Sequence, residues 1–482
     1  MKSMRNTRNS KNKKGLASLE IFTTWSDDVL SGGRLDAKYW LPAIRELQKA
    51  IQNGKYKSQK LGDFITDIRY GLSTANDYVD FGIPFLRILN LKNDGIDVGD
   101  VVYLSEEQRK EVGKAVVHEG DLLISRSGSV GIVVVVPKEA EGFAFGSFMI
   151  KFCLNEKINK QYISAWLNSE ASRKLIEREK IGAIQGNITI ETIKNFDIPI
   201  PPLSVQNEVV KKIQEAYEQK QKKETEILKI LSSIDDFVLG ELGIDMPRGG
   251  AEQVFQIWSD EIQTRLDPSY FRPIFKMLDK IFLTTKYNVK TLKNLSTKIT
   301  SGATPLSGGD AYTDQNNGIP FVRSGNINPD NKIDFDSLLY VKPEIHNKKL
   351  KSSQLKKGDL MIAIVGATIG QVSIYENDRE ANINQAIALI RLDEQVNSEY
   401  AKEFLYSKIG QIQLDRIKRP VARANINLDE VGSLQIIYPS KDKQNEMVGK
   451  IRKIRARATE LRQEAESIVV GAEKQIEQMI LA

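Results

Sequence analysis

The side chains with the clearest chemical potential are guanidinium and amide groups that recur at matched places in the two halves of the chain, the first and second copies. Residues 82–87 read Gly-Ile-Pro-Phe-Leu-Arg and are followed by Asn90, while residues 318–323 read Gly-Ile-Pro-Phe-Val-Arg and are followed by Asn326. In the DNA major groove, arginine and lysine pair with guanine, and asparagine and glutamine pair with adenine. These residue types are therefore suited to reading base pairs.

The shared residues have a second interpretation, which stays open beside the first. Two domains that read different bases should not share their reading residues, so these arginines and asparagines can also be structural. They are Arg87, Asn90, Arg323 and Asn326. Nearby residues that differ between the copies are better candidates for base contact. They are Tyr70, Ser73, Thr74, Asn76, Lys92 and Asn93 in the first copy, and Thr304, Ser307, Ser324 and Asn328 in the second.

Two further groups of polar residues fit the same purpose. The first group lies where the two copies differ: the first copy has Arg126, Ser127 and Ser129, and we match these with Ala363, Val365 and Thr368 of the second copy. Late in the second copy, a basic run without acidic residues contains Arg416, Lys418, Arg419 and Arg423. Such a run suits contact with DNA phosphates. An ordinary solvated basic surface remains the alternative for this run.

The sequence lacks the short motifs of nucleotide and methyltransferase chemistry. It contains no Gly-x-x-x-x-Gly-Lys-Ser/Thr run, which argues against a phosphate-binding loop. It also contains no Asp/Asn-Pro-Pro-Tyr/Phe quartet, with which amino-methyltransferases hold a flipped base. His118, His346 and the single cysteine Cys153 do not make a usual zinc site. We therefore predict no catalytic residues, no cofactor and no metal in this chain. A Mg²⁺-dependent nuclease stays open as an alternative, because carboxylates are plentiful.

An internal duplication organises the whole chain. Trp-Ser-Asp-Asp at 25–28 recurs as Trp-Ser-Asp-Glu at 258–261, Gly-Asp-Leu at 120–122 recurs at 358–360, and Gln-Asn-Glu at 206–208 recurs at 444–446. The offset drifts only from 231 (Arg34 to Arg265) to 238 (Gly120 to Gly358), and the order never breaks. Self-similarity of this kind indicates a repeated structural unit.

Each copy combines short strand-like runs and helical pieces with one long helix, which predicts an α+β fold. Runs such as 132–136 and 360–365 are rich in β-branched and aliphatic residues. We predict five segments, with a basic disordered tail, two α+β domains and a long helix after each domain. Their bounds are 1–16 for the tail, 17–203 and 247–441 for the domains, and 204–246 and 442–482 for the helices.

The two long helices each carry a narrow apolar stripe. In the second helix, apolar residues alternate at spacings of three and four, which is the pattern of a coiled-coil seam. They are Met447, Ile451, Ile454, Ala458, Leu461, Ala465, Ile468, Ala472, Ile476 and Met479. The first helix has a similar stripe, interrupted by Lys220 and Lys223, whose stems we expect to pack while their charged ends reach water. The nearest partner for each stripe is the other helix, and packing of each helix on its own domain is the alternative.

The charge distribution and the apolar runs of the sequence indicate where in the cell the chain would be found. The formal charge of +6 equals the six basic residues within positions 1–14, so the remainder sums to zero. The tail is expected to be a solvated extension, with non-specific phosphate contact as the alternative. No apolar run is long enough to span a membrane, the first residues do not resemble a secretory signal, and the single cysteine fits the reducing cytoplasm.

Taken together, these motifs resemble the specificity subunits of type I restriction-modification systems over nearly the whole chain. The resemblance rests on the Gly-Ile-Pro-Phe-x-Arg and Gly-Asp-Leu motifs, Gln-Gly-Asn-Ile at 185–188 and Ile-Pro-Ile-Pro-Pro-Leu at 198–203, with a long helix after each copy. In that family, each domain is a target-recognition domain that reads one half of a bipartite DNA site. The two helices pair antiparallel as a coiled-coil spacer. A helix of about 36 residues is roughly 54 Å long, which exceeds one DNA turn.

The resemblance also implies the partners of this chain. Two modification subunits would supply S-adenosylmethionine and adenine methylation, and restriction subunits would add ATP and Mg²⁺ chemistry. The chain itself would be a non-catalytic subunit that binds double-stranded DNA. The specificity part of a type IIB-like methylation-cleavage system is an alternative with the same role. A self-contained nuclease and a pure coiled-coil scaffold are alternatives of a different class.

We predict that the purified chain alone neither methylates nor cuts DNA, because the motifs for both reactions are missing from its sequence. The measurement is incubation with labelled S-adenosylmethionine, Mg²⁺ and DNA of varied sequence, with a known adenine methyltransferase as the positive control. Incorporation or cleavage at background level is expected. Robust incorporation of label, or Mg²⁺-dependent cutting, would overturn this prediction.

Overall fold

The structure is a computed structural model that describes residues 37–74, 77–180, 186–246, 255–258, 267–306, 310–327, 332–366, 368–418 and 425–481. The chain divides into two compact units: unit 1 contains Met1–Glu224 and Gln463–Ala482, and unit 2 contains Thr225–Arg462. Both units mix helices with sheets, which confirms the predicted α+β class. Within the described residues, no helix is both long and apolar enough to cross a membrane. The basic tail at 1–16 lies outside the described residues.

The elements of the first copy begin with a short helix and end in a long one. The helices are α1 (Pro42–Gln52), α2 (Arg109–Val112), α3 (Lys160–Asn168), α4 (Glu170–Glu179), α5 (Ile190–Lys194) and α6 (Leu203–Leu242). The strands are β1 (Ser58–Lys60), β2 (Ile65–Tyr70), β3 (Ile83–Leu86), β4 (Leu91–Lys92), β5 (Gly95–Ile96), β6 (Val102–Leu104), β7 (Leu122–Ser125), β8 (Val133–Val135), β9 (Ala144–Phe145), β10 (Met149–Leu154) and β11 (Asp197–Pro199).

The second copy repeats this order. The helices are α7 (Pro273–Thr284), α8 (Pro343–Asn347), α9 (Ser398–Tyr406), α10 (Lys408–Ile417), α11 (Leu428–Ser433) and α12 (Lys441–Leu481). The strands are β12 (Asn288–Thr291), β13 (Ser296–Ser301), β14 (Tyr312–Thr313), β15 (Ile319–Val322), β16 (Leu339–Val341), β17 (Gln354–Leu355), β18 (Leu360–Ala363), β19 (Val372–Ile374), β20 (Ala381–Ile383), β21 (Ile387–Leu392) and β22 (Gln435–Tyr438).

The sheets show that the duplication extends to strand order. In unit 1, a four-stranded antiparallel sheet has the order β2-β10-β7-β8, and unit 2 has the corresponding order β13-β21-β18-β19. The three strands β6-β3-β9 correspond to β16-β15-β20, to which unit 2 adds β14 and β17 at the edges. The pairs β3–β9 and β15–β20 are both parallel. Matched order and direction confirm the repeat that the sequence predicted.

The core of each unit includes parts of the long helices. In unit 1, Val209 and Ile213 of α6 lie in the same buried cluster as Phe152 of the sheet and Ile476 of α12. Full burial of one side chain of this size stabilises the fold by roughly 1.5–3 kcal/mol. Packing of a helix on its own domain, which the sequence left as an alternative, therefore occurs at the start of α6. The stripe continues beyond the domain, where it meets the other helix.

Contacts inside each unit show that α6 and α12 run antiparallel. In unit 1, Lys223 Nζ lies 2.5 Å from Glu464 Oε2. In unit 2, Ile227 packs with Leu461, and Glu241 of α6 pairs with Lys443 of α12. Partner numbers on α12 fall as residue numbers on α6 rise, so the predicted antiparallel pairing is confirmed.

The predicted seam also has the expected burial. All ten apolar seam residues of α12 are buried or half-buried. Lys220 and Lys223 are half-buried, and both form ion pairs: Lys220 with Asp94 and Lys223 with Glu464. A lysine within a coiled-coil seam is tolerated when its stem packs and its ammonium group finds a partner at the rim.

A buried glutamine joins the first long helix to its domain. Gln206 is 1% exposed, and its side-chain oxygen accepts the backbone N–H of Asn159, which caps helix α3. Its amide donates to the carbonyl oxygen of Pro201, 2.8 Å away. The Asn159 side chain in turn donates to the Asn207 side chain. The Gln-Asn pair of the repeated motif therefore fixes where α6 begins relative to α3.

The second copy makes the same junction. Gln444 is fully buried, accepts the backbone N–H of Asn397 and donates to the carbonyl oxygen of Pro439. Asn397 caps helix α9 and donates to Asn445. The helices begin at Leu203 and Lys441, one residue before the predicted starts.

We predict that Gln206→Ala lowers the free energy of unfolding by about 2 kcal/mol, because it leaves the half-buried N–H of Asn159 and the buried carbonyl oxygen of Pro201 without partners. Gln219→Ala, an exposed glutamine in the same helix, is the matched control and should change stability by less than about 0.5 kcal/mol. The measurement is urea denaturation followed by circular dichroism. Equal effects of the two substitutions would show that the junction contributes nothing beyond helix propensity.

Candidate nucleic-acid interface

Several loops leave unit 1 from one end of its four-stranded sheet. Strand register places Tyr70 opposite Ile150, and Met149 opposite Ser125. The segments that follow β2 and β7, and the one that precedes β10, therefore share this end of the sheet. We call it the loop edge of unit 1; it contains Tyr70 and residues 126–132 and 146–148. The same register in unit 2, with Ser301 opposite Ala388 and Ala363 opposite Ile387, defines its loop edge.

A glycine at the end of the first strand keeps each loop edge compact. A Cβ atom on Gly71 would collide with the carbonyl oxygens of Phe145 and Gly146, and a Cβ atom on Gly302 would collide with the carbonyl oxygens of Ile383 and Asn384. Only glycine allows this approach of two backbones. Both edges therefore have the same backbone scaffold, on which different side chains are mounted.

The loop edge of unit 1 carries an arginine and two exposed aromatic rings. The Arg126 guanidinium lies 4.6 Å from the centroid of the Tyr70 ring. The backbone N–H of Arg126 donates to the Phe148 carbonyl oxygen at 2.8 Å, and the Tyr70 hydroxyl accepts the backbone N–H of Ile190 at 3.3 Å. Tyr70 is 40% exposed and Phe148 is 53% exposed. A cation stacked on an anchored ring is suited to contact a nucleobase.

The loop edge of unit 2 has a different chemistry on the same backbone. Ile364 donates its backbone N–H to Ala386, as Arg126 does to Phe148, so Ile364 is the structural counterpart of Arg126. The sequence-based match of Arg126 with Ala363 was therefore wrong by one residue. Thr304 donates a hydrogen bond to the side chain of Gln385, which is exposed. Unit 2 thus presents an amide and a hydroxyl where unit 1 presents a guanidinium and aromatic rings.

Hydrogen bonds of the Ser125 hydroxyl hold together the tight loop after β7. The Ser125 hydroxyl donates to the Ser129 carbonyl oxygen at 2.5 Å and accepts the backbone N–H of Ile132 at 2.8 Å. Ser127 is buried, whereas Ser129 is exposed. In unit 2, Thr368 is half-buried and its carbonyl oxygen accepts the backbone N–H of Gln371. Of these candidates, Ser129 is the one most accessible to DNA.

The two shared asparagines occupy buried positions beside the sheets. Asn90 is fully buried; its side chain accepts the backbone N–H of Arg87 and donates to the carbonyl oxygens of Asp97 and Asp100 at 3.0 and 2.9 Å. Asn326 is 2% exposed and accepts the corresponding N–H at 2.9 Å. An amide with these bonds holds two loop segments together, which favours the structural interpretation of both asparagines.

The two shared arginines differ in their surroundings. Arg87 donates to the backbone and carboxylate of Asp100 and lies 5.9 Å from the centroid of the Tyr78 ring. Arg323 is half-buried, and the described part of the chain offers it no carboxylate partner. Arg323 is therefore the more available of the two for an external anion or base.

The remaining candidates of the first copy differ in how exposed they are and in whether they already have hydrogen-bond partners. Lys92 and Ser73 are exposed. Thr74 accepts a hydrogen bond from Gln108. Asn93 accepts one from Arg173 on its side chain and one from Tyr217 of α6 on its carbonyl oxygen, so it fastens the β4–β5 turn to the long helix.

Other candidates belong to the second copy or to segments without description. Ser324 is half-buried in the turn after β15. The candidates that lie outside the described residues are Asn76, Ser307, Asn328, Arg419 and Arg423.

Two residues of the predicted phosphate-binding run already have acidic partners. Arg416 pairs with Asp279 at 2.7 Å and stacks on Tyr270, with 4.7 Å between guanidinium and ring centroid. Lys418 pairs with Asp415 at 2.6 Å. Because the Arg416 guanidinium also lies 5.6 Å from the centroid of the Phe275 ring, this geometry favours a structural role for it. The contact of this run with phosphates stays a prediction.

The repeated Gly-Asp-Leu motif places a buried aspartate in an ion pair in each unit. Asp121 pairs with Lys151 at 2.8 Å and accepts a hydrogen bond from Cys153 at 2.9 Å. Asp359 pairs with Arg391 at 2.6 Å. Asp121 immediately precedes β7 and pairs with a residue of β10, and Asp359 immediately precedes β18 and pairs with a residue of β21. The motif therefore has a structural role in both units. Among the described residues, no group of three or more histidine, cysteine or acidic side chains is arranged to hold a metal.

Two edge residues were missed by reasoning from the sequence. Phe148 lies just before β10 and Gln385 just before β21, and each of these strands is an interior strand of its four-stranded sheet. The offset of 238 between the Gly-Asp-Leu motifs matches Ser147 with Gln385, so the difference was visible in the sequence. What the sequence did not show is that this segment shares an edge with Tyr70 and Arg126.

Comparison with known proteins gives a consistent set of matches. A family model described as "Type I restriction modification DNA specificity domain" matches residues 53–236 and 285–469. The specificity subunit of the type I restriction enzyme EcoKI of Escherichia coli (strain K12) is 25% identical over 172 residues, covering 34% of this chain and 37% of that protein. The MjaVIII specificity subunit of Methanocaldococcus jannaschii is 26% identical over 187 residues, covering 36% and 43%. Each of these two sequence matches thus spans less than half of the relative's length.

A crystal structure of the type I restriction-modification S subunit from M. genitalium aligns with a TM-score of 0.40 at 13% identity, covering 89% of this chain and 96% of that one.

We predict that Cys153 is slow to alkylate in the folded protein. Burial, with a further contribution from the hydrogen bond to Asp121, raises the pKa of the Cys153 thiol to about 12. Below that pH the thiol stays protonated, and the thiolate is the reactive form, so iodoacetamide at pH 8 should react roughly a thousandfold more slowly than with an ordinary thiol. The measurement is mass spectrometry of the native chain, with the guanidinium-unfolded chain as control. Similar rates in both samples would contradict the burial of this thiol beside Asp121.

Proposed function

Because the chain belongs to the family of type I restriction-modification DNA specificity domains, we propose that it selects the DNA sequence on which a type I restriction-modification complex acts. In this role, the chain binds double-stranded DNA and performs no chemistry itself. Each of its two units reads one half of a bipartite target.

The observation that carries this proposal is the contrast between the two loop edges. Matched strand order and matched glycines build the same edge twice, yet Arg126 and Tyr70 in unit 1 are replaced by Ile364 and Ser301 in unit 2. A stabilising role would favour similar side chains on both scaffolds. Different hydrogen-bonding groups on one backbone suit the reading of two different base sequences.

The chemical steps are assigned to partner subunits. We propose that two modification subunits bind this chain and supply S-adenosylmethionine, and that restriction subunits, where present, supply ATP- and Mg²⁺-dependent steps. The long helices α6 and α12 extend about 60 Å at the usual rise of 1.5 Å per residue, so they offer surface for such partners beyond the two domains.

A domain exchange tests the assignment of one half-site to each unit. Residues 60–198 are replaced by the first domain of another family member, and the modified motif is read by methylation sequencing from cells that also carry the modification partner. We expect one half of the motif to change and the other half to stay the same. A change in both halves, or in neither, would contradict the assignment. Absence of any modified motif with the unaltered chain and its partner would contradict the proposed function as a whole.

Insertions in the long helix test whether helix length sets the spacing of the half-sites. Four residues inserted after Lys223 add roughly 6 Å and about one helical turn, so the apolar stripe stays nearly in phase. We expect the gap between half-sites to grow by one or two base pairs, since DNA rises about 3.4 Å per base pair. Two inserted residues turn the stripe by about half a turn and should abolish assembly. An unchanged gap with full activity after the four-residue insertion would show that another element fixes the distance.

A further inference from the structure

We propose that Arg126 reads a guanine in the half-site of unit 1. This inference rests on the proposed function and adds the identity of a base and of the residue that recognises it. Arg126 and Tyr70 together form the reading group, and Tyr70 acts by orienting the guanidinium.

The backbone of Arg126 is held on both sides. Its N–H donates to the Phe148 carbonyl oxygen at 2.8 Å, and its carbonyl oxygen accepts the N–H of Ile188 at 3.1 Å. The loop that follows is closed by Ser125, which bonds to both ends of residues 129–132. A side chain on such a rigid loop loses little conformational entropy when it binds, which favours specific recognition.

The guanidinium is oriented but has no acidic partner. It lies on the Tyr70 ring at 4.6 Å, and one Nη donates to the Ser147 carbonyl oxygen at a long 3.5 Å. Its Nε is buried without a hydrogen bond. No carboxylate within the described residues pairs with it. By contrast, the arginines of the same unit that do pair with carboxylates include Arg69, Arg87 and Arg178.

Guanine is the base that matches this group. Its major-groove edge presents two adjacent acceptors, O6 and N7, which a guanidinium fork can bind with two parallel hydrogen bonds. With Nε buried, the two Nη groups are the donors that remain available. A guanidinium fork can also bind a phosphate with two hydrogen bonds. Phosphate contacts carry no sequence information and are expected in both copies, whereas unit 2 has Ile364 in place of Arg126. The difference between the copies therefore favours a base over a phosphate.

Unit 2 provides the internal comparison. Ile364 occupies the position of Arg126 and is 5% exposed, while Ser301 occupies the position of Tyr70. Neither side chain can donate two hydrogen bonds to guanine. We therefore expect the base pair at the corresponding place in the second half-site to be read by another group or not at all.

The test compares three variants in complex with the modification partner. Arg126→Lys keeps the charge and removes the planar fork, and Arg126→Ile introduces the residue of unit 2. Lys138→Ala is the matched control for loss of charge, because Lys138 is exposed and follows β8 at the opposite end of the same sheet. Methylation rates are measured on the wild-type target and on targets with each base pair of the first half-site replaced in turn. Melting temperatures confirm that every variant is folded.

The expected result is a loss of discrimination at a single G·C pair. Arg126→Ile should reduce the preference for guanine there by roughly 5- to 150-fold and leave the other positions and the second half-site unchanged. Arg126→Lys keeps a donor for guanine but loses the fork, so it should reduce the preference at the same position by less than Arg126→Ile does. Lys138→Ala should behave like the unaltered chain. A uniform loss of rate at every position would show that Arg126 contacts phosphate. An unchanged preference at every position, with methylation intact, would also overturn the assignment while leaving the proposed function standing.

Discussion

Each long helix is tied to its domain by one buried glutamine, and the arrangement of the rest of each copy depends on this junction. Gln206 and Gln444 both accept the N–H of a helix-capping asparagine and donate to a carbonyl oxygen of the preceding turn. A buried side-chain amide must satisfy both of its polar ends, so its position is fixed from two directions. The stripe of each helix therefore starts at the same place relative to its domain, and the two helices can pair in one register.

The molecule separates the residues that hold the fold from those that differ between the copies. Buried groups such as Asn90 and Asp121 recur as Asn326 and Asp359, and each keeps the same backbone partner. The ion pair is kept although its cation comes from a different strand position: strand register matches Lys151 with Leu389, and Arg391 with Cys153. Exposed side chains at the loop edges share no such constraint. Selection for different DNA sequences can therefore act on the edges without disturbing the core.

The sequence predicted the features that depend on order and periodicity. The duplication, the α+β class and the paired helices all follow from patterns along the chain. The sequence left both a base-reading and a structural role open for Asn90, and its buried hydrogen bonds favour the structural role. Features that depend on pairing between distant strands were missed. Nothing in the sequence alone places Phe148 beside Arg126, or Asp279 beside Arg416, because each contact joins segments that meet only in the folded domain. The one-residue error at Ile364 has a different origin, because the offset of 238 between the Gly-Asp-Leu motifs already matches Arg126 with Ile364 in the sequence.

A chain with two identical domains tests the central claim most directly. Residues 60–198 are replaced by residues 291–436 of the same chain, which begin and end at the corresponding places of β12 and β22. Methylation sequencing of cells that carry this chain and the modification partner then reads the modified motif. If each unit reads its own half-site through its loop edge, the half-site of unit 2 should occur at both ends of the motif. A motif that keeps two different half-sites would contradict this account.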